Sequence, residues 1–175
     1  MVALRRDVEP VSRFRSEGIE ERCTVAPADL TDRDVLVRVL NEHEVGEVFH
    51  VAAQTIVATA NRSPLGTWEA NVRGTYTLLE PCRSLGSVRR VVVASSDKAY
   101  GDHDELPYRE DFALRPRYPY DVSKACTDLI ARCYAQTYDL RWRSPGSRTS
   151  TGPATSTGRA SFRTPPGRSS AASGP

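Results

Sequence analysis

No two cysteines stand in a C-x-x-C pair: Cys23, Cys82, Cys126 and Cys133 are scattered along the chain, and so are the three histidines, His43, His50 and His103. Zinc sites draw ligands in close pairs, and disulfide frameworks need short, cysteine-dense chains, so neither is indicated and no metal is expected. The thiols read as the reduced cysteines of a cytoplasmic protein. No apolar segment of signal-peptide length opens the sequence, and no run approaches the roughly 18 apolar residues of a membrane helix, so a soluble protein with no membrane partner is expected. Residues 141–175 contain no Asp, Glu, Lys, Leu, Ile, Val or Met. Such a segment cannot bury enough apolar surface to offset the entropy of ordering it, and is expected to be a disordered tail. The formal net charge is +2, yet six arginines lie in that tail, leaving 18 basic against 22 acidic residues in the rest. The body is therefore mildly acidic. It has no basic stripe with interleaved aromatics, which argues against nucleic acid as a partner.

Residues 1–140 alternate oily runs with charged, periodic ones. "MVALRRD" suits a buried strand and "RCTVAPADLTD" a second one ending near Asp29. Asp32 can cap a helix in which Val35, Val37, Val39 and Leu40 fall among charges up to about His43, and "EVFHVAAQ" reads as a third strand. A long helical pattern runs from Pro64 to Leu85 and closes at Gly86, with a kink expected at Pro81. "VRRVVVASS" is a fourth strand, β-branched as befits one covered on both faces. A last helix spans about Tyr120 to Tyr138, with Val122, Cys126, Leu129, Ile130 and Cys133 on one stripe. Strands alternating with helices predict a parallel sheet wrapped on both sides, in which ligands bind outside the carboxyl ends of the strands. Three short sequences sit at those ends: "ADL" at 28–30, "HVAAQ" at 50–54 and "SSDK" at 95–98.

The stretch "VVVASSDKAYGDH" sets a hydroxyl, a carboxylate, an amine and a phenol (Ser96, Asp97, Lys98, Tyr100) at the end of an oily run. That mix is costly to bury, so it marks a candidate site. In "YPYDVSK", Tyr120 and Lys124 are four apart and share a helix face. A nearby ammonium favours the phenolate, which suits Tyr120 for general acid–base work. Y-x-x-x-K spacing alone occurs by chance in many helices, and its plain alternative is a surface lysine beside a half-buried tyrosine. Ser96 shifts the balance, because a hydroxyl there can bond the substrate oxygen that the tyrosine deprotonates.

Serine, tyrosine and lysine together describe the short-chain dehydrogenase/reductase superfamily. The chain resembles its extended branch, the NAD(P)-dependent nucleotide-sugar epimerases and dehydratases, through "ADL", "HVAAQ", "NVRGT", "ASSDKAYGD" and "YPYDVSK" in that order. The resemblance implies a partial Rossmann-like, doubly wound parallel sheet over residues 1–140. It also implies that the pair after the strand-end serine is the acid and base that remove water from the sugar. Here that pair is Asp97 and Lys98, most similar to the CDP-glucose 4,6-dehydratase group; a solvated turn pair is the alternative. Tyr120 would take the proton of the sugar C4 hydroxyl, and Asp97 would protonate the departing C6 hydroxyl. Lys98 stands where many relatives have Glu and must be neutral to take the C5 proton, which burial beside a cofactor would favour. Asp29 and Leu30 resemble the pair that holds adenine, or a helix-capping turn. Val51, Ala52, Ala53 and Gln54 resemble the small-residue turn over which NAD passes, beside Tyr120 and Lys124. Arg5 and Arg6 leave NADP open as well. His50 is expected to be structural, and Asn71 to brace the long helix against the sheet. The implied partners are a nucleotide-hexose and a second copy of the chain in a four-helix contact.

The family's first strand and glycine-rich turn, G-x-x-G-x-x-G, do not precede "MVALRRD". After "AQTYDL" the composition changes abruptly. Permitted codons for "RWRSPGSRTSTGPATSTGRASFR", read in another frame, allow "VAVTRLANLYGPGDLNWSRIVP", a continuation similar to the family's. These features lead to the expectation of a chain truncated at its start, frameshifted after about residue 140 and inactive by itself. A nucleotide-sugar 4-epimerase, or a non-catalytic remnant or dimerising module, are the alternatives to a 4,6-dehydratase.

Overall fold

The structure, a computed structural model, describes residues 1–7, 11–138 and 140, and the backbone of 142–143. The expected disorder of 141–175 and the expected frameshift otherwise lie outside the described residues. In chain order the elements are β1 (Val2–Arg5), α1 (Arg13–Ser16), β2 (Thr24–Pro27), α2 (Arg33–Glu42), β3 (Glu47–His50), α3 (Val57–Arg62), α4 (Pro64–Trp68), α5 (Gly74–Ser84), β4 (Arg90–Val93), α6 (Pro119–Tyr138) and β5 (Trp142–Arg143). All pairings are parallel. β1 pairs with β2, Val2 opposite Thr24. β3 pairs with β4, Val48 opposite Val91 and His50 opposite Val93. Trp142 and Arg143 pair with Val91 and Val92, so order extends two residues into the segment expected to be a disordered tail.

The strands form two sheets, β1-β2 and β3-β4-β5. In a doubly wound sheet of order 3-2-1-4-5-6, leaving out strand 1 splits the remaining strands in this way. The core lies under β4, where Val91 and Val93 meet Leu36 and Leu40 of α2, Leu78, Leu79 and Cys82 of α5, and Ala131 of α6. Burial pushes the Cys82 thiol up to about 12, so it stays protonated and inert.

Four expectations change. The third strand stops at His50, and Val51–Gln54 leave the ladder as a loop. The long helix is interrupted by a π-turn at Glu69–Arg73. It then passes through Pro81 and ends at Ser84, one turn later, so that proline forgoes one intrahelical bond, to the Thr77 carbonyl, close to the helix end. A short helix, α3, fills the segment before Pro64. The apolar stripe of α6 turns largely outward: Leu129 is 56% exposed, Cys133 is exposed, and Val122 and Cys126 are half-buried, while Ile130 packs against the core as expected. Its buried face carries Tyr120, Ser123, Lys124, Thr127 and Asp128 instead. Periodicity gives a stripe but does not say which side the core takes. Here the polar side goes in because its groups find partners: Ser123 and Thr127 hydroxyls donate to the carbonyls of Tyr120 (2.7 Å) and Ser123 (2.9 Å).

Candidate active site

α6 packs against the 3-10 turn Asp97–Tyr100 that follows β4, and this contact brings two groups of expected residues into one corner. Ser96 caps the turn: its Oγ accepts from the Lys98 N–H (3.2 Å) and donates to Asp97 Oδ1 (3.1 Å). The hydroxyl is thus committed to its own turn. Asp97 and Lys98 are exposed. Tyr120 is buried one turn before Lys124, whose Nζ donates to the Ala94 carbonyl at 2.5 Å. That bond ties the first turns of α6 to the end of β4, two residues before Ser96. Burial lowers the Lys124 pKa from its ordinary value. The lysine expected to be desolvated was Lys98; the structure buries Lys124 and leaves Lys98 in solvent.

Asn71, placed by the π-turn, forms a three-way clamp. Its Oδ1 accepts from the Gln54 N–H (2.7 Å), and its Nδ2 donates to the Gln54 carbonyl (3.0 Å) and to Ser123 Oγ (2.9 Å). Gln54's main chain is therefore held by a side chain, which explains why the third strand ends early. Asn71 braces the strand-end loop and α6 together, rather than only helix on sheet. Val51 and Ala52 are exposed beside this clamp, with Ala53 and Gln54 half-buried.

His50 closes β3 in a buried site, its Nε2 2.9 Å from Thr75 Oγ1. The Thr75 hydroxyl donates to the Asn71 carbonyl (2.6 Å), so its hydrogen is engaged and His50 Nε2 must carry the donated proton. Burial, with the nearby Lys124 charge, pushes the imidazole down to about 4.

Asp29 and Leu30 lie across the fold, at the end of β2. Asp29 Oδ1 accepts from both the N–H (2.8 Å) and the hydroxyl (2.7 Å) of Thr31, bonds that hold its carboxyl below the usual range. The helix cap is Asp32, which accepts from Val35. Leu30 packs on Gly74, where an added Cβ would lie 3.2 Å from the leucine Cβ. A surface hollow of about 520 Å³ between Arg33, Arg73, Tyr76, Glu80 and Tyr134 contains none of the expected residues.

Asp121 drew no attention in the sequence, because an acid in the first turn of a helix is ordinary. In the structure it is 6% exposed beside Tyr120, and burial raises its pKa. Gly101 follows the turn directly and adopts φ 72°, ψ −154°, a conformation that a single glycine in the sequence does not reveal.

Residues 4–154 match the GDP-mannose 4,6 dehydratase family. The chain is 33% identical to the CDP-glucose 4,6-dehydratase of Salmonella typhimurium over 63% of its own length and 31% of that protein. It is 30% identical to the UDP-glucose 4-epimerase of Azospirillum brasilense, over 77% of its length and 38% of that protein. A solved dTDP-glucose 4,6-dehydratase of Streptomyces venezuelae, with NAD bound, superposes with a TM-score of 0.74 at 33% identity, covering 82% of this chain and 44% of that one. The chain thus spans less than half the length of each of these relatives. It belongs to the GDP-mannose 4,6-dehydratase family, within the extended short-chain dehydrogenase/reductases that comprise nucleotide-sugar dehydratases and epimerases.

Proposed function

We propose that this chain carries the acid–base half of an NAD-dependent nucleotide-sugar 4,6-dehydratase. The observation that carries the reading is the meeting of Asp97 and Lys98, on the turn capped by Ser96, with the α6 face that holds Tyr120 and Lys124. A 4-epimerase needs the tyrosine and lysine but has no use for an acid and an amine at the strand end. Dehydration needs both, since one group must protonate the leaving C6 hydroxyl while another takes the C5 proton. In this reading Tyr120 accepts the proton of the C4 hydroxyl, Asp97 delivers a proton to the C6 oxygen, and Lys98 receives the C5 proton in its neutral form, which substrate and cofactor closing over the exposed amine would favour.

The residues fit a dinucleotide. Thr31 engages only one oxygen of Asp29, which leaves Oδ2 for an adenine amine, and the exposed Val51–Ala52 backbone offers a surface without bulky polar groups. Bound NAD would supply the hydride acceptor. Arg5 is held by Glu20 at 2.6 Å and Arg6 by Asp7 at 2.7 Å, so the two cations that could meet a 2′-phosphate are already matched, which favours NAD over NADP. Calorimetric titration tests this. NAD⁺ is expected to bind more tightly than NADP⁺, and Lys124→Met to weaken NAD⁺ about tenfold, the loss of roughly one charge-assisted hydrogen bond. No heat with millimolar NAD⁺ would overturn the cofactor assignment. With a nucleotide-hexose, product mass separates the two chemistries: dehydration loses water, whereas epimerisation leaves the mass unchanged.

The outward apolar groups of α4 to α6, including Leu65 (69% exposed), Trp68 (40%), Tyr76 (44%) and Leu129 (56%), suit a second copy of the chain packing helix on helix. Sedimentation is expected to show a dimer that Leu129→Glu weakens at least tenfold, by placing a charge in an apolar contact. A monomeric wild-type chain would refute this.

A further inference from the structure

A cluster of aromatic side chains outside the corner closes the turn that carries Asp97 and Lys98. Both residues are exposed, so no packing of their own fixes their side chains. Their placement is set by the backbone of a four-residue 3-10 turn, a form whose hydrogen-bond geometry is poor. Ser96 holds the first end of the turn through its cap. The last end is Tyr100 and Gly101. Tyr100 stands beside Ser96, Asp97 and Lys98 in the sequence, yet it takes no part in the proton chemistry proposed above.

One side chain grips both closing residues. The Tyr108 ring stacks on Tyr100, with centroids 5.7 Å apart and planes 17° from parallel, and the Tyr108 hydroxyl donates to the Gly101 carbonyl at 2.9 Å. Tyr108 is held from behind in its turn. His103 meets it edge-on at 6.1 Å, stacks on Phe112 at 4.8 Å, and donates from Nε2 to the Ala113 carbonyl at 3.1 Å. The Arg109 guanidinium lies over the Phe112 ring at 4.9 Å. Two attachments on adjacent residues fix the direction of the turn as well as its place, which a single contact does not. We infer that Tyr108 is a positioning residue for Asp97 and Lys98: by clamping Tyr100 and Gly101 it fixes the turn from which the two side chains reach the α6 corner. The role rests on the reading of those two as the proton-handling pair. Tyr120 and Lys124 have separate supports, the Ser123 hydroxyl and the Ala94 carbonyl, so the clamp acts on the turn alone.

Amide hydrogen exchange on the full chain, with ¹⁵N relaxation, tests this. The reporters are the N–H groups of Ala99, Gly101 and Arg115, bonded at 3.1 Å to the Ser96, Lys98 and Tyr100 carbonyls. Tyr108→Phe keeps the stack and removes only the hydroxyl bond, and is expected to speed exchange at these amides about tenfold; Tyr108→Leu removes both and speeds it about a hundredfold. In Tyr108→Leu the backbone order of Asp97 and Lys98 falls, while exchange in the core strand β4 and NAD⁺ affinity stay within about twofold of wild type. A tyrosine that served only overall stability would move the core amides and the NAD⁺ affinity together with the turn, and that uniform loss overturns the inference. Unchanged exchange at the reporters overturns it equally. Tyr108→Phe leaves the ring in place, so it decides the matter even where Tyr108→Leu fails to fold. Failure of the cofactor assignment is read separately: a wild type that binds no NAD⁺ removes that assignment, and the exchange comparison, which needs no ligand, still decides the positioning.

Discussion

Gly101→Ala is expected to lower the stability of the fold by about 3 kcal/mol or more and to detach the loop after the Asp97–Tyr100 turn. At φ 72° and ψ −154° the residue occupies a region that is essentially glycine's alone, which costs a side-chain-bearing residue roughly 1–3 kcal/mol. Close approach adds to this. A Cβ at position 101 would lie 2.0 Å from the Arg115 carbonyl oxygen, and backbone cannot swing aside as a side-chain end can. Relief requires breaking the parallel bridge between Gly101 and Arg115, with its Arg115 N–H to Tyr100 carbonyl bond of 3.1 Å, and straining the Tyr108 hydroxyl bond to the Gly101 carbonyl (2.9 Å). Each lost bond contributes about 1 kcal/mol. Gly86→Ala is the control: φ is +69° and nothing lies within 4 Å, so only about 1 kcal/mol of backbone strain is expected. Urea unfolding of both variants, with limited proteolysis of residues 101–118, measures the difference. Equal losses for the two would mean that the close contact at Arg115 is not what fixes this loop. A released loop also loosens the turn that carries Asp97 and Lys98, so NAD⁺ affinity and the proton-handling groups should separate in this variant.

The parts of this fold legible in the sequence are those decided locally. Asp32 before an amphipathic run reads as a cap because the side-chain acceptor and the free N–H are three residues apart, and the structure has that bond. The β-branched run at 91–93 reads as a strand, and Val91 and Val93 on one face are buried, whereas on the other face Val92 is half-buried and Arg90 exposed, so the coverage expected on both faces is complete on one. What escaped was decided at long range. "VAAQ" continues an oily run and looks like strand until Asn71, 17 residues later, takes both main-chain groups of Gln54. The stripe of α6 was visible, but the side chosen for the core depends on whether the polar side can be satisfied, and those acceptors are carbonyls of α6 itself, of Ala94 just after β4 and of Asn71. The candidate site divides in the same way. Tyr120, Lys124, Ser96, Asp97 and Lys98 follow from spacing and strand ends, and they meet in one corner. Which lysine is desolvated, and that Asp121 is buried, depend on the packing of α6 on the turn.

Acid is expected to remove about 3 kcal/mol of stability through His50 alone as the pH falls from 7 to 4. The sign follows from the direction of the shift. The imidazole is pushed from 6.5 down to about 4, so the folded state binds its proton less readily than the unfolded chain. Its contribution is complete above 6.5, and it is lost as the pH falls through that window to about 4. The physical cause is a buried ring whose Nε2 proton is already given to Thr75, with the Lys124 cation nearby to oppose a second one. Two buried acids act in the opposite sense. Burial raises the pKa of Asp121 and of Asp128, so each binds a proton in the folded state before the unfolded one and adds stability as the pH falls. Glu20, Asp29 and Glu80 have lowered values, so their contributions are lost as the pH falls through the ordinary carboxylate range and below it, at the acid edge of the histidine's window and equally in wild type and variant. The measurement is therefore a difference: urea unfolding of wild type and His50→Gln at pH 7 and pH 4. At pH 7 the variant should be less stable by about 1 kcal/mol, for an imperfect replacement of the bond to Thr75. Between pH 7 and pH 4 it should lose about 3 kcal/mol less than wild type, which would leave it the more stable of the two at pH 4. Parallel losses in the two proteins would show that His50 is protonated in the folded state, and the buried Asn71–Thr75–His50 chain would have to be redrawn with the imidazole in water.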